Sequence, residues 1–422
     1  MKIIIIGAGI AAVSAVKAIR QHSKDIEITV YGDEEYFPYK RIRLTKDLSY
    51  GLQPENLLIQ KESWYQENHV RFHKGTRVTG LDPAVRRIFL SDGTADEYSS
   101  LLLANGARNN VLPIKGIDKK GVYSLRRLED AFDILEQAKR SHRILIIGGG
   151  VLGLEIAWSL KQLQKEVVVV EALPRLMPKQ LDEPASKVLQ DIVYSCGVAV
   201  HTGTQTMEIT GDDSVTGFIT DSNLKEHCDM VIHSTGIRSN IELVKDTGIR
   251  THRGILVNER METNLPDIYA AGDIAEYQDR VAGLWNVASL QGEVAGSNMA
   301  GFARIYEVPA AATVMNAFHY SMFSIGQVEE KSYDATITEA IAERNIYRKI
   351  CFRDNRITGA AMIGSSRELP ALKRAMEEQT EISESYERNM TVSEFLLFLK
   401  EKQAKKQLLQ PSDAAAELPH IQ

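Results

Sequence analysis

Gly7, Gly9 and Ala12 in KIIIIGAGIAAV and Gly148, Gly150 and Gly153 in RILIIGGGVLGL repeat one spacing, G-x-G-x-x-A/G. That spacing suits the diphosphate of a dinucleotide. The first glycine permits a tight turn out of a strand. The second lets the anion approach the backbone, and the third small residue lets the next helix pack closely on the strand. Acids follow each copy at about the distance where a carboxylate accepts hydrogen bonds from a ribose diol. They are Asp33 and Glu34 after the first and Glu171 after the second. A carboxylate there repels a 2′-phosphate, so Glu171 predicts NADH over NADPH, a preference that nearby Arg175 tempers. One copy alone is a common turn, whereas two complete copies predict two dinucleotide sites.

Further markers stand at strand ends. YSSLLLANGARNN closes on Ala104, Asn105, Gly106 and Ala107, and CDMVIHSTGIRSN echoes it with Ser234, Thr235 and Gly236. TNLPDIYAAGDIAEY runs an apolar strand into Gly272 and Asp273. A carboxylate in that place accepts hydrogen bonds from a sugar-like chain, or caps the next helix.

This order of motifs resembles the two-dinucleotide-domain flavoprotein reductases. EEYFPYKRIRLTKDL and GLWNVASLQGEVAGSNMAG narrow the likeness to the NADH–rubredoxin reductases and related NADH-dependent reductases of small electron-transfer proteins. The resemblance implies FAD at the first fingerprint (Gly7, Gly9, Ala12, Glu34) and NADH at the second (Gly148, Gly150, Gly153, Glu171, with Gly236). It implies that Asp273 holds the ribityl chain and that Arg41 reaches the FAD pyrophosphate. Val78, Ala104 and Gly106 complete the FAD set. Lys46 would stand beside the flavin ring with Glu155 as its partner, the pair that carries the catalytic expectation. A helix opening near Gln291 would turn its positive end toward the flavin. Three departures stand out: Asn105 for the usual Thr, Ser239 for the usual Pro, and KRIRL for the commoner Arg-Pro-Pro-Leu.

Cysteine inventory limits the chemistry. The chain has 3 cysteines (Cys196, Cys228 and Cys351), none near another and none in residues 36–60. Disulfide reductases of this architecture keep a thiol on the flavin from that stretch, so thiol–disulfide chemistry there is excluded. No zinc or iron–sulfur spacing exists, and no metal is expected. No nucleophile elbow with triad spacing is present either. Chemistry then falls to the cofactor, and the protein supplies position and electrostatics.

These residues need strands and helices to hold them. KIIIIG, IEITVYG, RILIIG and EVVVVEA are short and β-branched, as in strands of a parallel sheet buried on both faces. The predicted fold is α/β: two Rossmann-like domains, the NAD domain inserted in the FAD domain, plus a small α+β C-terminal domain. Expected boundaries are 1–108 and 236–305 for the FAD domain, 109–235 for the NAD(H) domain and 306–382 for the C-terminal domain. A polar linker (ISESYERN), an amphipathic helix with a Thr391–Glu394 capping box and a tail occupy 383–422.

The 422 residues carry a net charge of −6, with 44% apolar and 25% charged residues. That balance disfavours a nucleic-acid partner. No run approaches the roughly 18 uncharged residues of a membrane span. The apolar opening is interrupted too early by glycine for an export signal, so a cytoplasmic protein is expected. The expected function is an FAD-dependent oxidoreductase that oxidises NADH and reduces a small electron-transfer protein such as rubredoxin. Alternatives are an NADH oxidase, the flavin component of a larger reductase of the nitrite-reductase kind, and a non-catalytic FAD-binding redox sensor. The C-terminal domain would form a homodimer interface or a docking surface.

Overall fold

The computed structural model describes residues 1–382 and 389–409, with side chains to residue 405 in the last helix. From the start, β1 (Lys2–Ile6), α1 (Ile10–His22) and β2 (Glu27–Tyr31) follow one another. Two short helices, α2 (Pro54–Leu57) and α3 (Glu62–Glu67), precede β3 (Val70–His73). Then come an antiparallel meander, β4 (Val78–Asp82), β5 (Arg87–Leu90) and β6 (Ala95–Glu97), and β7 (Ser100–Leu103). β8 (Ala107–Asn109) and β9 (Val122–Tyr123) lead to α4 (Leu128–Arg140), β10 (Arg143–Ile147), α5 (Val151–Gln162) and β11 (Glu166–Glu171). After α6 (Glu183–Ser195) lie β12 (Ala199–Thr202), a second meander of β13 (Thr206–Thr210), β14 (Gly217–Thr220) and β15 (Lys225–His227), β16 (Met230–His233) and β17 (Ile237–Ser239). β18 (Ile255–Leu256), β19 (Ile268–Ala270), β20 (Ala275–Glu276) and α7 (Trp285–Met299) end this part.

Two five-stranded parallel sheets dominate, in the orders β19-β7-β1-β2-β3 and β12-β11-β10-β16-β9. In each, the strand that precedes a glycine-rich turn sits centrally, between the next strand of its own fingerprint and a strand that returns much later. That is the switch point of a doubly wound sheet, where ligands bind at the carboxyl ends of the strands. Ile3, Ile4 and Ile5 of β1 are fully buried, as are Ile144, Leu145 and Ile146 of β10. Each such side chain contributes on the order of 1.5–3 kcal/mol by leaving water. The second sheet lies between β7 and β19 of the first in sequence, so one α/β domain is inserted in the other. The chain passes between them twice, on β8 and β17. These pair antiparallel, with Ser239 opposite Ala107 and Ile237 opposite Asn109.

The described residues fall into two compact units: 1–174 with 197–309, and 175–196 with 310–382 and 389–409. The second unit is built on an antiparallel sheet in the order β21 (Ala312–Ala317), β22 (Tyr320–Gly326), β25 (Arg356–Ile363), β24 (Ile346–Arg353) and β23 (Ala335–Ile341). β24 and β25 turn at Asp354 and Asn355, both in the left-handed region with φ 50° and 58°. A tight hairpin requires that conformation. Helices α8 (Leu369–Glu377) and α9 (Val392–Leu409) complete it. Thr391 and Glu394 exchange the hydrogen bonds of a capping box, at 2.9 Å and 3.3 Å. Val392, Phe395, Leu396 and Leu399 of α9 enter the core of this unit. Most of ISESYERN and the tail lie outside the described residues.

Segment 175–196 joins this second unit through a buried polar cluster. Asp182 caps α6 by accepting from Ala185 N (3.1 Å), and its other oxygen accepts from Tyr347 Oη (2.7 Å) and Lys349 Nζ (2.8 Å). Among the described residues no helix is long and apolar enough to cross a membrane.

Candidate functional site

At the first fingerprint β1 gives way to Gly7 with φ +108°, where a side-chain carbon would lie 2.2 Å from Ala104 O. Only glycine fits, because the turn out of β1 is wedged against the end of β7. Gly9 behaves differently. It caps α1 in an extended conformation (φ −100°, ψ −171°), and nothing lies within 4 Å of where its Cβ would be. The amino end of α1 therefore opens on a free space that a bound anion can fill, bringing it against unpaired amides and the positive end of the helix dipole. Ala12 is buried at the base of this turn.

The second fingerprint repeats the solution. Gly148 has φ +114°, and a side-chain carbon there would lie 2.3 Å from Ser234 O. On Gly153 such a carbon would lie 2.0 Å from Gly148 O. Gly150 caps α5 with nothing within 4 Å, and Gly236 is equally open. Glu171 ends β11 with both oxygens held: Oε2 accepts from Gly149 N (2.6 Å) and Oε1 from Leu173 N (2.8 Å). Its carboxylate is thus fixed beside the open turn. Arg175 donates to the carbonyls of Pro178 and Leu181, each at 3.3 Å.

Around the first turn, acids and arginines alternate. Buried Glu34 accepts from Tyr39 Oη (2.7 Å) and pairs with Arg41. Arg41 also donates to Tyr39 Oη (2.9 Å) and to Arg126 O (3.0 Å). Burial pushes the Tyr39 phenol far above its ordinary range, so it stays protonated. Asp33 accepts from Arg127 Nη2 (2.6 Å), and Asp273 accepts from Arg126 Nη2 (2.6 Å). The backbone amides of Arg126 and Arg127 both donate to Asp130, which fixes the pair just before α4. Sequence reasoning singled out Glu34, Arg41 and Asp273 but missed Arg126 and Arg127. Their signal was a doubled arginine ahead of an acidic first helical turn, in SLRRLED. Val78 lies buried at the start of β4, and Ala104 and Gly106 follow β7.

The Lys46–Glu155 pair joins the two halves. Thr45 Oγ1 donates to Glu155 Oε2 (2.5 Å), and Ser159 Oγ donates to Thr45 O (2.7 Å). Lys46 Nζ stands 3.8 Å from Glu155 Oε1, an oxygen with no hydrogen-bond partner. Burial pushes the Glu155 carboxyl above its usual range, against the opposing pull of Thr45 and Lys46. A buried carboxyl of this kind can hold a proton at Oε1 or stabilise a neighbouring ammonium.

One expectation about the helices needs correction. The helix expected to open near Gln291 opens at Trp285, after extended Leu284, because no Gly or Pro interrupts WNVASL. Gln291 lies buried within α7, and its Oε1 accepts from Gly272 N (2.9 Å), the residue before Asp273. Gly292 and Gly296 sit where α7 crosses α1: a side-chain carbon on either would lie 2.2 Å or 2.4 Å from Ala11 O or Ala15 O. The departures from the usual motifs also make contacts. Asn105 and Asn240 exchange amide hydrogen bonds with each other's carbonyls (3.0 Å and 2.8 Å), and Ser239 Oγ donates to Asp273 O (2.7 Å).

Comparison with known proteins follows the same division. Residues 1–292 match the family described as pyridine nucleotide-disulphide oxidoreductase, and residues 312–380 match the rubredoxin NAD+ reductase C-terminal domain. The nitrite reductase [NAD(P)H] of Bacillus subtilis is 33% identical over 91% of this chain, but the chain spans only 48% of that protein. The NADH-rubredoxin oxidoreductase of Clostridium acetobutylicum is 31% identical over 89% of this chain and 94% of its own length. The crystal structure of NADH:rubredoxin oxidoreductase from the same organism superposes with a TM-score of 0.78 at 30% identity, covering 94% of this chain and 99% of that one.

Proposed function

The chain belongs to the pyridine nucleotide-disulphide oxidoreductase family, and from that premise we propose that it oxidises NADH through FAD and reduces a small electron-transfer protein, with a rubredoxin as first acceptor. The observation that carries this reading is the pair of equivalent glycine turns, each with a helix amino end open above its second glycine. Both cradles fit a diphosphate, and each has a carboxylate by the neighbouring strand, Glu34 three residues past β2 and Glu171 at the end of β11.

Gly7, Gly9 and Ala12 would hold FAD at its diphosphate, Glu34 at a ribose and Asp273 at the ribityl chain, with Arg41 and Arg126 supplying fixed cationic forks. Gly148, Gly150 and Gly153 would hold NADH, with Glu171 on the ribose diol and Gly236 alongside. Glu171 disfavours a 2′-phosphate by charge, which supports NADH over NADPH. Lys46 would present its ammonium to the flavin, steadied by Glu155. Bound flavin supplies hydride acceptance from a reduced nicotinamide and one-electron release to a carrier.

Disulfide chemistry does not fit this chain, whatever the family's name. Cys228 and Cys351 are buried thiols pushed up to about 12, which leaves them protonated and inert. Cys196 directly follows α6, far in sequence from the 36–60 stretch. The match to the rubredoxin NAD+ reductase C-terminal domain supports a protein acceptor. A second reading, the flavin module of a longer reductase, draws support from the nitrite reductase, of which this chain spans about half.

The test is anaerobic. Adding NADH should bleach the flavin absorbance within seconds, and a rubredoxin should then restore it faster than air does. No bleaching by NADH would sink the reductase reading. Reoxidation by oxygen as fast as by any carrier protein would favour an oxidase.

A further inference from the structure

Asp273 is gripped at both ends by a single rung of the interdomain ribbon. On β17, Ser239 Oγ donates to the Asp273 carbonyl at 2.7 Å. Opposite it on β8 stands Ala107, its cross-strand partner. The carbonyl of Ala107 accepts from Arg126 Nε at 3.1 Å, and the same guanidinium donates to Asp273 Oδ2 at 2.6 Å. The rung therefore sets the backbone of Asp273 through Ser239 and its carboxylate through Arg126. Ser239 is buried, so water does not substitute for its hydroxyl.

The next residue locks the register of the rung. Asn240 N donates to Gly106 O (3.0 Å), Asn240 Nδ2 to Asn105 O (2.8 Å) and Asn105 Nδ2 to Asn240 O (3.0 Å). Three hydrogen bonds between two short segments leave β17 little freedom to slide on β8. The amide before Asp273 is fixed separately, by Gln291.

We infer that Ser239, held in register by the Asn105–Asn240 exchange, is a positioning residue for Asp273 and so for FAD. A carboxylate that must meet hydroxyl groups needs its place fixed to within a fraction of an ångström, and side chains locked by their own hydrogen bonds provide that. Ser239 touches no ligand; it acts through the main chain of Asp273. This rests on the assignment of FAD to the first fingerprint.

The experiment measures FAD affinity by titrating the full chain stripped of flavin, together with the melting temperature of the stripped chain. Ser239→Ala should weaken FAD by roughly two- to tenfold, the range of one intramolecular hydrogen bond, and should lower the flavin-free melting temperature by no more than the roughly 1–3 °C that the same bond is worth to the fold. Its effect should vanish in an Asp273→Ala background, because with no polar side chain at 273 the rung has nothing left to position toward FAD. An equal loss in both backgrounds, or no loss in the parent, would overturn the inference. Where Asp273→Ala holds too little FAD to titrate, Ser239→Thr decides: affinity restored by the second hydroxyl supports the role, and affinity as weak as Ser239→Ala refutes it. If Asp273→Ala binds FAD as tightly as the parent, the FAD assignment fails instead.

Discussion

One methyl group, placed at two positions two residues apart, should produce opposite effects. At Gly7 the backbone has φ +108°, and a side-chain carbon would lie 2.2 Å from Ala104 O and 2.6 Å from Asn105 N. Gly7→Ala then carries about 1–3 kcal/mol of backbone strain and about 1–3 kcal/mol of overpacking against β7. For a unit of this size each kcal/mol lowers the melting temperature by roughly 2 °C, so the flavin-free protein should melt about 4–12 °C lower. At Gly9 the backbone is ordinary extended chain with nothing within 4 Å. Gly9→Ala should therefore shift the stability of the flavin-free protein by less than about 1 kcal/mol, because the lost freedom of the unfolded chain offsets the poorer helix cap that Ala makes. The same methyl stands in the cradle over the amino end of α1 and pushes a diphosphate away from the amides. FAD affinity should fall by about tenfold or more, or roughly 1.4 kcal/mol, since each hydrogen bond to a charged group is worth about 1.5–3 kcal/mol. Thermal melts of the stripped protein and flavin titration read the two quantities separately. The reasoning fails if Gly9→Ala destabilises the stripped protein as Gly7→Ala does, or if it binds FAD at parental strength.

Two further substitutions probe the second half. Glu171→Ala removes the acceptor fixed by Gly149 and Leu173 and should cut the NADH-to-NADPH ratio of kcat/KM by about tenfold; an unchanged ratio would refute its role. Glu155→Gln concerns pH: burial raises the carboxyl above its ordinary 4.5, so the folded chain binds this proton more tightly than the unfolded one. The stability this gives is present below the unfolded value and lost as pH rises through the raised one. Glu155→Gln should thus raise the melting temperature at neutral pH and gain little at a pH below the ordinary carboxyl value, whereas a gain independent of pH would contradict the burial argument.

Much of this architecture was legible because a parallel strand buried on both faces reads as an unbroken β-branched run. IIII, ILII and VVVV allowed little else, and the glycines that follow the first two announced the turns. Asp273 was legible because it follows a strand and a glycine with φ +84°. What stayed hidden depended on pairings across long sequence separations. Nothing local in SLRRLED says that Arg126 meets a carboxylate at 273, and nothing in IRSN says that Ser239 reaches the same residue. The helix start near Gln291 was placed by resemblance rather than by any local signal, and Gly292 beside it does not mark a boundary. In the fold that glycine instead permits α7 to cross α1 at backbone contact. Segment 175–196 likewise makes its polar contacts far along the chain, through Asp182 with Tyr347 and Lys349.

Helix α5 connects the two proposed sites more directly than any loop. Its amino end is Gly150, the open cradle of the second fingerprint, and Glu155 lies within its second turn. From that helix Glu155 grips Thr45 and faces Lys46, and Ser159, one turn further, donates to the carbonyl of Thr45. Residues 45 and 46 belong in sequence to the first domain, yet these side-chain bonds come from the inserted one. An α-helix shifts as a rigid body far more readily than it stretches, because every internal hydrogen bond resists elongation. A displacement of α5 on dinucleotide binding at its amino end would therefore reach Thr45 and Lys46 through these contacts. The link would run through a buried carboxyl whose Oε1 makes no hydrogen bond and faces the Lys46 ammonium at 3.8 Å, so a shift of a few tenths of an ångström in α5 would change that separation directly.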